Sequence, residues 1–533
     1  MRLPYRLKRN VRLLVIGHIL ATHGMAAMAV RLRLFRPYAW MIRLFTGDEL
    51  PKDLGVQIRQ VLEQLGPTFI KFGQMLSTRV DLLPIDVALE LKKLQDDVPP
   101  EKIEVIESVL KRAYKKSLTG EGGQFIEFER EPVAAASIAQ VHFARLHDGG
   151  HVAVKVRRPR IQKTIEADLS ILRLLADMFD RYFPEYERLK APRVVEEFAT
   201  TIMGELNLRS EAAHASRFAD NLADLEGVGV PKVMWDYTTT EVLVTERISG
   251  VPIDERDHLA AAGHDLMRLC ERTATLFFHM VFVDGYFHAD LHPGNIFVTD
   301  KGDIKLVDFG IVGRLDMQSR RYIAEMLLAF LQGNYRRAAE VHLEAGYVPA
   351  DTNISAFEDA LREVAEPIFN RPLKDISLAE LLFYLFAVTE RFKMETRPEL
   401  LLLQKTMVVI EGVARELEPG VNVWALAKPL VAKWVAENLG PKARIEQAAH
   451  DLKTGLEDWM HLPGEIRKML AEQNGQEKHQ SQATSAWQLL AGASLLAAGG
   501  LLAGLGWSEP ALNLQWIGAV AAVVVGALLL TRR

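Results

Sequence analysis

The sequence predicts an α+β fold of two lobes, a small sheet-bearing lobe followed by a larger helical one, with added N-terminal helices and a C-terminal transmembrane helical hairpin. Three observations predict it. Residues 141–145 and 151–156 alternate apolar and polar side chains at the period of half-buried strands, and His147-Asp-Gly149-Gly150 between them has hairpin-turn chemistry. From about residue 320 to residue 470 the apolar positions fall at helical spacings, as at Ile323, Met326, Leu327 and Phe330. Residues 486–507 then run twenty-two positions without a charge, and residues 511–530 are nearly as apolar.

Taken in chain order, the first segment is residues 1–50, where nine Arg or Lys and two acids give a local charge of +7 in a chain of net charge −5. Basic residues interleaved with Leu, Phe, Trp and Met favour helices lying on an anionic membrane surface. The apolar stretch 13–22 followed by Ala27-Met-Ala29 mimics an export signal, but His18 interrupts it. Residues 51–118 read as a helical extension and 119–250 as the sheet-bearing lobe with a helical insertion. Residues 251–470 read as the helical lobe, with the apolar run 400–413 at its buried centre. Residues 471–485 are polar without large apolar side chains, a flexible linker. The hairpin of 486–530 has Trp487, Trp507 and Trp516 near its span ends and Arg532-Arg533 beyond, which sets the C-terminus, and by parity the lobes, on the cytoplasmic side. Cys270 is the single cysteine, compatible with a reducing compartment. No zinc-ligand cluster, fixed-period repeat or nucleic-acid module occurs, and the chain outside its basic start is acidic, which excludes nucleic acid as a partner class.

The chemistry concentrates in His288-Ala-Asp290-Leu-His-Pro-Gly-Asn295 and Val307-Asp308-Phe309-Gly310. Asp290 is followed after four residues by Asn295, and after twelve more by Asp308. Protein kinases place a catalytic base, a metal ligand and a second metal ligand in that order. Residues 296–298 and 304–307 are strand formers around the turn sequence Thr299-Asp-Lys-Gly302-Asp, so a hairpin brings Asn295 beside Asp308. An amide oxygen and a carboxylate suit Mg²⁺, which keeps water and phosphate oxygens in its remaining positions. Asp290 then orients or deprotonates the attacking hydroxyl. Upstream, Val152, Val154 and Val156 share one strand face, which leaves Lys155 on the other as a clamp for ATP phosphates.

Where a glycine-rich loop is usual, the chain has Pro132, Val133, Ala134, Ala135, Ala136, Ser137, Ile138, Ala139 and Gln140. Its N–H groups suit phosphate, but each Cβ disfavours the positive φ with which a glycine loop wraps closely, so the nucleotide geometry is expected to be unusual. The start of an alanine-rich helix is the alternative.

Ala134-Ala-Ala-Ser137, Val152-Ala-Val-Lys155, His288-Ala-Asp290 and Asp308-Phe-Gly310 together resemble the UbiB family of atypical kinases, associated with ubiquinone biosynthesis. Lys71-Phe-Gly-Gln74 is similar to that family's Lys-x-Gly-Gln signature. The resemblance runs from about residue 55 to the C-terminal apolar spans and implies a protein-kinase-like fold in which the helices bearing Lys71 and Gln74 close over the nucleotide pocket. It places Glu205-Leu-Asn207 at the family's Glu-x-Asp, with Asn where many members have Asp, and makes Glu211 the partner of Lys155. Glu205 also stands four residues before Arg209, the spacing of a helix-surface ion pair. No Ala-Pro-Glu follows Asp308-Phe-Gly310, which argues against protein substrates.

The resemblance thus implies an ATP- and Mg²⁺-dependent kinase or ATPase at the bacterial inner membrane. The partners it implies are membrane lipids, isoprenoid quinone precursors and ubiquinone-biosynthesis enzymes, with a homodimer left open. Two alternatives stand beside it. His288 to Asn295 is also similar to small-molecule kinases of the aminoglycoside and choline type, and the site also suits a nucleotide-binding scaffold without turnover.

Overall fold

The computed structural model describes residues 54–77, 83, 85–94, 98–120, 122–182, 190–369, 388, 391, 392, 394, 397–421 and 423–439, together with Val15, Ile16, His18 and Ile19. Residues 1–440 form one compact unit. The expected linker 471–485 and transmembrane hairpin 486–530 lie outside the described residues, as do the basic helices of 1–50 apart from those four. Among the described residues no helix is long and apolar enough to cross a membrane.

The sheet-bearing lobe follows from its alternation. Strands β1 (Glu127–Phe128), β2 (Ala134–Ala135), β3 (Ala139–Arg145), β4 (His151–Arg157) and β6 (Val242–Glu246) form one antiparallel sheet in the order β1-β3-β4-β6, with β2 also on β3. Val152, Val154 and Val156 are all fully buried against Val109, Leu110 and Phe125. The first two of these belong to helix α4 (Ile103–Tyr114), which covers that face. The packing therefore divides the chain before α4 rather than at residue 118: α4 belongs to the core of the sheet. Helices α1 (Leu54–Leu65), α2 (Pro67–Ser77) and α3 (Ile85–Leu91) share a different core with α5 (Ile161–Tyr182) and α6 (Ala191–Glu205), the insertion after β4. Gly73 makes this close approach possible, since a Cβ there would stand 2.5 Å from Leu94 Cδ1 and 2.6 Å from Leu62 Cδ1.

Helix α7 (Leu208–Asn221) leads from this layer into the second lobe. There β5 (Val228–Gly229), β7 (Val251–Pro252), β9 (Ile296–Val298) and β10 (Ile304–Leu306) make a sheet ordered β5-β10-β9-β7, and β8 (Tyr286–His288) pairs with β11 (Val312–Arg314). Helices α8 (Arg256–Ala261) and α9 (Leu266–Phe278) precede β8, and α10 (Met317–Leu331), α11 (Tyr335–Glu344) and α12 (Ile354–Phe369) follow β11. α10 starts a turn before the expected Arg320, because Asp316 caps it by accepting from Ser319 N–H at 2.7 Å. Helices α13 (Pro398–Leu417) and α14 (Val423–Leu439) pack back on α9 and the β8–β11 region. Leu403, Ile410, Val413 and Leu417 are buried in this core, so the run 400–413 is central as expected.

Candidate active site

The β4 alternation that buries three valines turns Lys155 to the opposite face. Its ammonium stands 2.7 Å from Glu211 Oε1 and 3.0 Å from Asp308 Oδ1. Glu211 lies in the first turn of α7, so the pair ties the sheet of one lobe to the helix that enters the other. The two carboxylates differ in hydration: the Glu211 side chain is 7% exposed and that of Asp308 is 48%. One cation serves both. Burial pushes the Glu211 carboxyl up to about 7 against the pull of Lys155, with the Asp308 charge adding to the rise. Desolvation also opposes ionisation of Asp308, but Lys155 overrides it and holds that carboxyl at about 2. Desolvation acts to lower the Lys155 ammonium, and the two carboxylates more than reverse it, so the lysine stays charged.

The expected hairpin forms, with Ile296 opposite Leu306 and Val298 opposite Ile304. At its open end Val307 N–H donates to the Asn295 carbonyl at 3.0 Å, so Asn295 and Asp308 flank the same pair of strand ends. The Asn295 amide donates from Nδ2 to the Asp290 carbonyl at 2.9 Å, which fixes Oδ1 as its acceptor atom. Asp308 is held at φ 60°, a left-handed conformation that Asp tolerates better than most side chains. The fully buried His288 joins the two halves. Its Nε2 donates to the Val307 carbonyl at 3.0 Å and its Nδ1 accepts from Asp290 N–H at 3.1 Å, the pattern of a neutral imidazole. Burial lowers its pKa, which keeps the ring neutral. Phe309 is buried against Phe218 and His288, and its carbonyl bonds His214 Nδ1 at 3.0 Å. His292 only caps the turn, accepting from Gly294 N–H at 3.3 Å.

Residues 132–140 form a β-turn hairpin and not a helix start: Ala134 pairs with Val141, Ala135 with Gln140, and Ala136 N–H donates to the Ala139 carbonyl at 2.9 Å. None of these nine residues has positive φ, as the Cβ argument requires. The segment divides by exposure. Val133, Ala134 and Ala136 are exposed, Pro132 and Ala135 are half-buried, and Ser137, Ile138, Ala139 and Gln140 are buried. Gln140 does not face open cleft: its Oε1 accepts from Glu101 N–H at 2.8 Å and its Nε2 lies 2.8 Å from His142 Nε2. Arg158, which carries no motif signal, holds the turn from behind. Its Nε donates to the Ala136 carbonyl at 2.8 Å and its Nη2 to the Pro99 carbonyl at 2.9 Å.

Lys71 and Gln74 part company. Lys71 Nζ is 3.2 Å from Glu205 Oε2, the two side chains being 20% and 13% exposed, and Lys71 also helps to lower the Asp308 pKa. Glu205 in turn adds to the rise of Glu211. Lys71, Glu205, Glu211, Lys155 and Asp308 are therefore one electrostatic cluster. Gln74 instead donates to the Leu94 carbonyl at 3.1 Å, because the close packing at Gly73 directs it towards the segment after α3. Asn207, at the departure from the Glu-x-Asp pattern, caps α7 by accepting from Arg209 N–H at 3.2 Å. Arg209 lies over the Trp235 ring, and Glu205 is engaged by Lys71 across the fold.

A second cation at the site, besides Arg158, carries no motif. Lys405, on α13, stands 2.9 Å from Asp290 Oδ1. Its signal was a lone cation in the apolar run 400–413, which hydropathy alone assigns to the core.

The donor set suits a hard cation: Asn295 Oδ1 and an ionised Asp308 are oxygen ligands at adjoining strand ends, few enough to leave positions for phosphate and water. Among the described residues no group of three or more His, Cys, Asp or Glu is placed to hold a metal without such help.

Residues 93–342 match the model of the ABC1 atypical kinase-like domain, and residues 361–422 match that of the UbiB helical domain. Among solved structures, Rv3197 from Mycobacterium tuberculosis, determined as a complex with erythromycin, is similar at 25% identity. That likeness covers 69% of this chain and 93% of that one, with a TM-score of 0.45. The two family models together span well over half of this chain, which carries a kinase-like domain and belongs to the UbiB family of atypical kinases.

Proposed function

We propose that the chain is an ATP- and Mg²⁺-dependent kinase or ATPase that supports ubiquinone biosynthesis at the bacterial inner membrane. The observation that carries the nucleotide chemistry is the convergence of Lys155, Glu211 and Asp308 within 3.0 Å contacts beside the Asn295–Asp290 loop. In this reading Lys155, oriented by Glu211, clamps phosphate oxygens, and the turn at residues 132–140 borders them. Asn295 and Asp308 hold Mg²⁺, which when bound neutralises phosphate charge and orients the phosphoryl group. Asp290 receives the acceptor's proton or aligns the acceptor.

A protein acceptor fits poorly. From Gly310 the chain passes through β11 straight into α10, which leaves no long segment for docking a peptide. Water, a lipid or a small membrane-soluble molecule remains. The uncharged run 486–507 and the basic run 1–50 support membrane association, and the family membership supports the quinone pathway, with isoprenoid precursors and the enzymes that act on them as partners.

The test is incubation of the purified full-length chain with γ-labelled ATP and membrane extract, with and without Mg²⁺. Label is expected in free phosphate, lipid or a small molecule, and only with Mg²⁺. Absence of Mg²⁺-dependent nucleotide binding, or an Asp308→Asn protein that sustains quinone synthesis as well as the parent, overturns the reading. Asp290→Asn separates turnover from scaffolding, since a scaffold keeps its activity in cells.

A further inference from the structure

Asp290 is reached by a cation from outside the kinase-like segment. Lys405 Nζ lies 2.9 Å from Asp290 Oδ1, 115 residues away in sequence, with the two side chains 33% and 41% exposed. The next residue, Thr406, is fully buried and stands with Oγ1 3.4 Å from the His288 carbonyl and 2.9 Å from the Leu402 carbonyl. Two successive residues of α13 therefore touch the loop that carries the proposed base. Residue 405 lies beyond the ABC1 match at 93–342 and inside the UbiB helical match at 361–422. An ion pair this exposed adds little to stability, so folding alone does not account for a lysine placed on this carboxylate.

On the functional reading given above, we propose that Lys405 is a positioning residue for phosphoryl transfer. Asn295 fixes the backbone of Asp290 through its carbonyl, and Lys405 fixes the side chain by holding Oδ1. The second carboxylate oxygen is then presented to the acceptor. As the acceptor oxygen bonds to the γ-phosphorus and the bond to the ADP oxygen breaks, the acceptor proton passes to that second oxygen. Turnover, but not nucleotide binding, thus depends on a residue of the helical domain.

The test uses the full-length chain with Lys405→Met, Lys405→Arg, Asp290→Asn and the double variant Lys405→Met/Asp290→Asn. Each is measured for Mg-ATP affinity with a fluorescent ATP analogue and for kcat of ATP turnover. Lys405→Met is expected to lower kcat by about 10- to 100-fold while leaving affinity within about threefold. Lys405→Arg restores most of the rate, and the double variant is no slower than Asp290→Asn alone. A parent-like kcat in Lys405→Met, beside a slow Asp290→Asn, overturns the proposal and leaves the function standing. A rate loss that arginine does not relieve and that adds in full to Asp290→Asn also overturns it, as a structural effect. A parent protein with neither Mg²⁺-dependent binding nor turnover overturns the function, and this inference with it.

Discussion

Replacing Lys155 with Met should destabilise the protein in a way that depends on pH. The lysine neutralises two carboxylates of unequal hydration, Glu211 at 7% side-chain exposure and Asp308 at 48%. Water can solvate Asp308 after the cation is gone, but it cannot reach Glu211. In the parent, Glu211 is already held at about 7 against an ordinary 4.5. A carboxyl raised on folding contributes stability that is full below its unfolded pKa and is lost as pH rises through its folded pKa. In the variant the folded pKa rises further, so both proteins keep the proton below about 7 and diverge only above it. By about pH 8.5 the parent has released a proton that the variant still binds, and 1.36 kcal/mol per pH unit makes the difference about 2 kcal/mol. Urea unfolding followed by tryptophan fluorescence, at about pH 6 and about pH 8.5, should show the gap widening by that amount. In a Glu211→Gln background the pH dependence of the Lys155→Met effect should vanish. An equal loss at both pH values, or one that persists unchanged in the Gln background, would refute the account of Glu211 as a dry carboxylate sharing one cation.

Three further outcomes follow from the same geometry. Asp308→Asn should weaken Mg²⁺-dependent nucleotide affinity by about tenfold or more, read by a magnesium titration, yet shift Tm little, because Asn also tolerates the φ of 60° found there. Arg158→Met removes the donors to the Ala136 and Pro99 carbonyls and should raise the KM for ATP by about three- to tenfold with kcat unchanged; steady-state turnover over a range of ATP checks this, and an unaltered KM would mean that the turn does not border the nucleotide. Gly73→Ala places a Cβ 2.5 Å from Leu94 Cδ1 and should cost about 1–3 kcal/mol in urea unfolding, whereas parent stability would mean that the leucines swing aside.

Much of the site was legible because its parts are local. Asp290, Asn295 and Asp308 are joined by one hairpin, and hairpin register follows from strand period and turn chemistry over a dozen residues. Lys155 was legible for a similar reason, since alternation alone assigns it to the face opposite three valines. The losses were non-local. The alternation of residues 132–140 is too short to separate a β-turn from a helix start, and the backbone hydrogen bonds to β3 decided it. Gln74 was expected beside Lys71 on helical spacing, but the contact between α1 and α2 at Gly73 sends it to Leu94. Arg158 and Lys405 carried no motif, because the partners of each are carbonyls or a carboxylate brought up by another part of the chain.

The sequence by itself determined the two-lobed α+β class, the order of the motif residues and the strand face that displays Lys155. Those depend on side-chain period and turn preference, which are properties of short segments. Tertiary structure decided which charges meet: that Lys155 is shared between Glu211 and Asp308, that Lys71 engages Glu205, and that α13 delivers Lys405 to Asp290. Electrostatic pairing falls off over a few ångströms in space and is indifferent to separation along the chain, so only the packing of the helices on the sheets could set it.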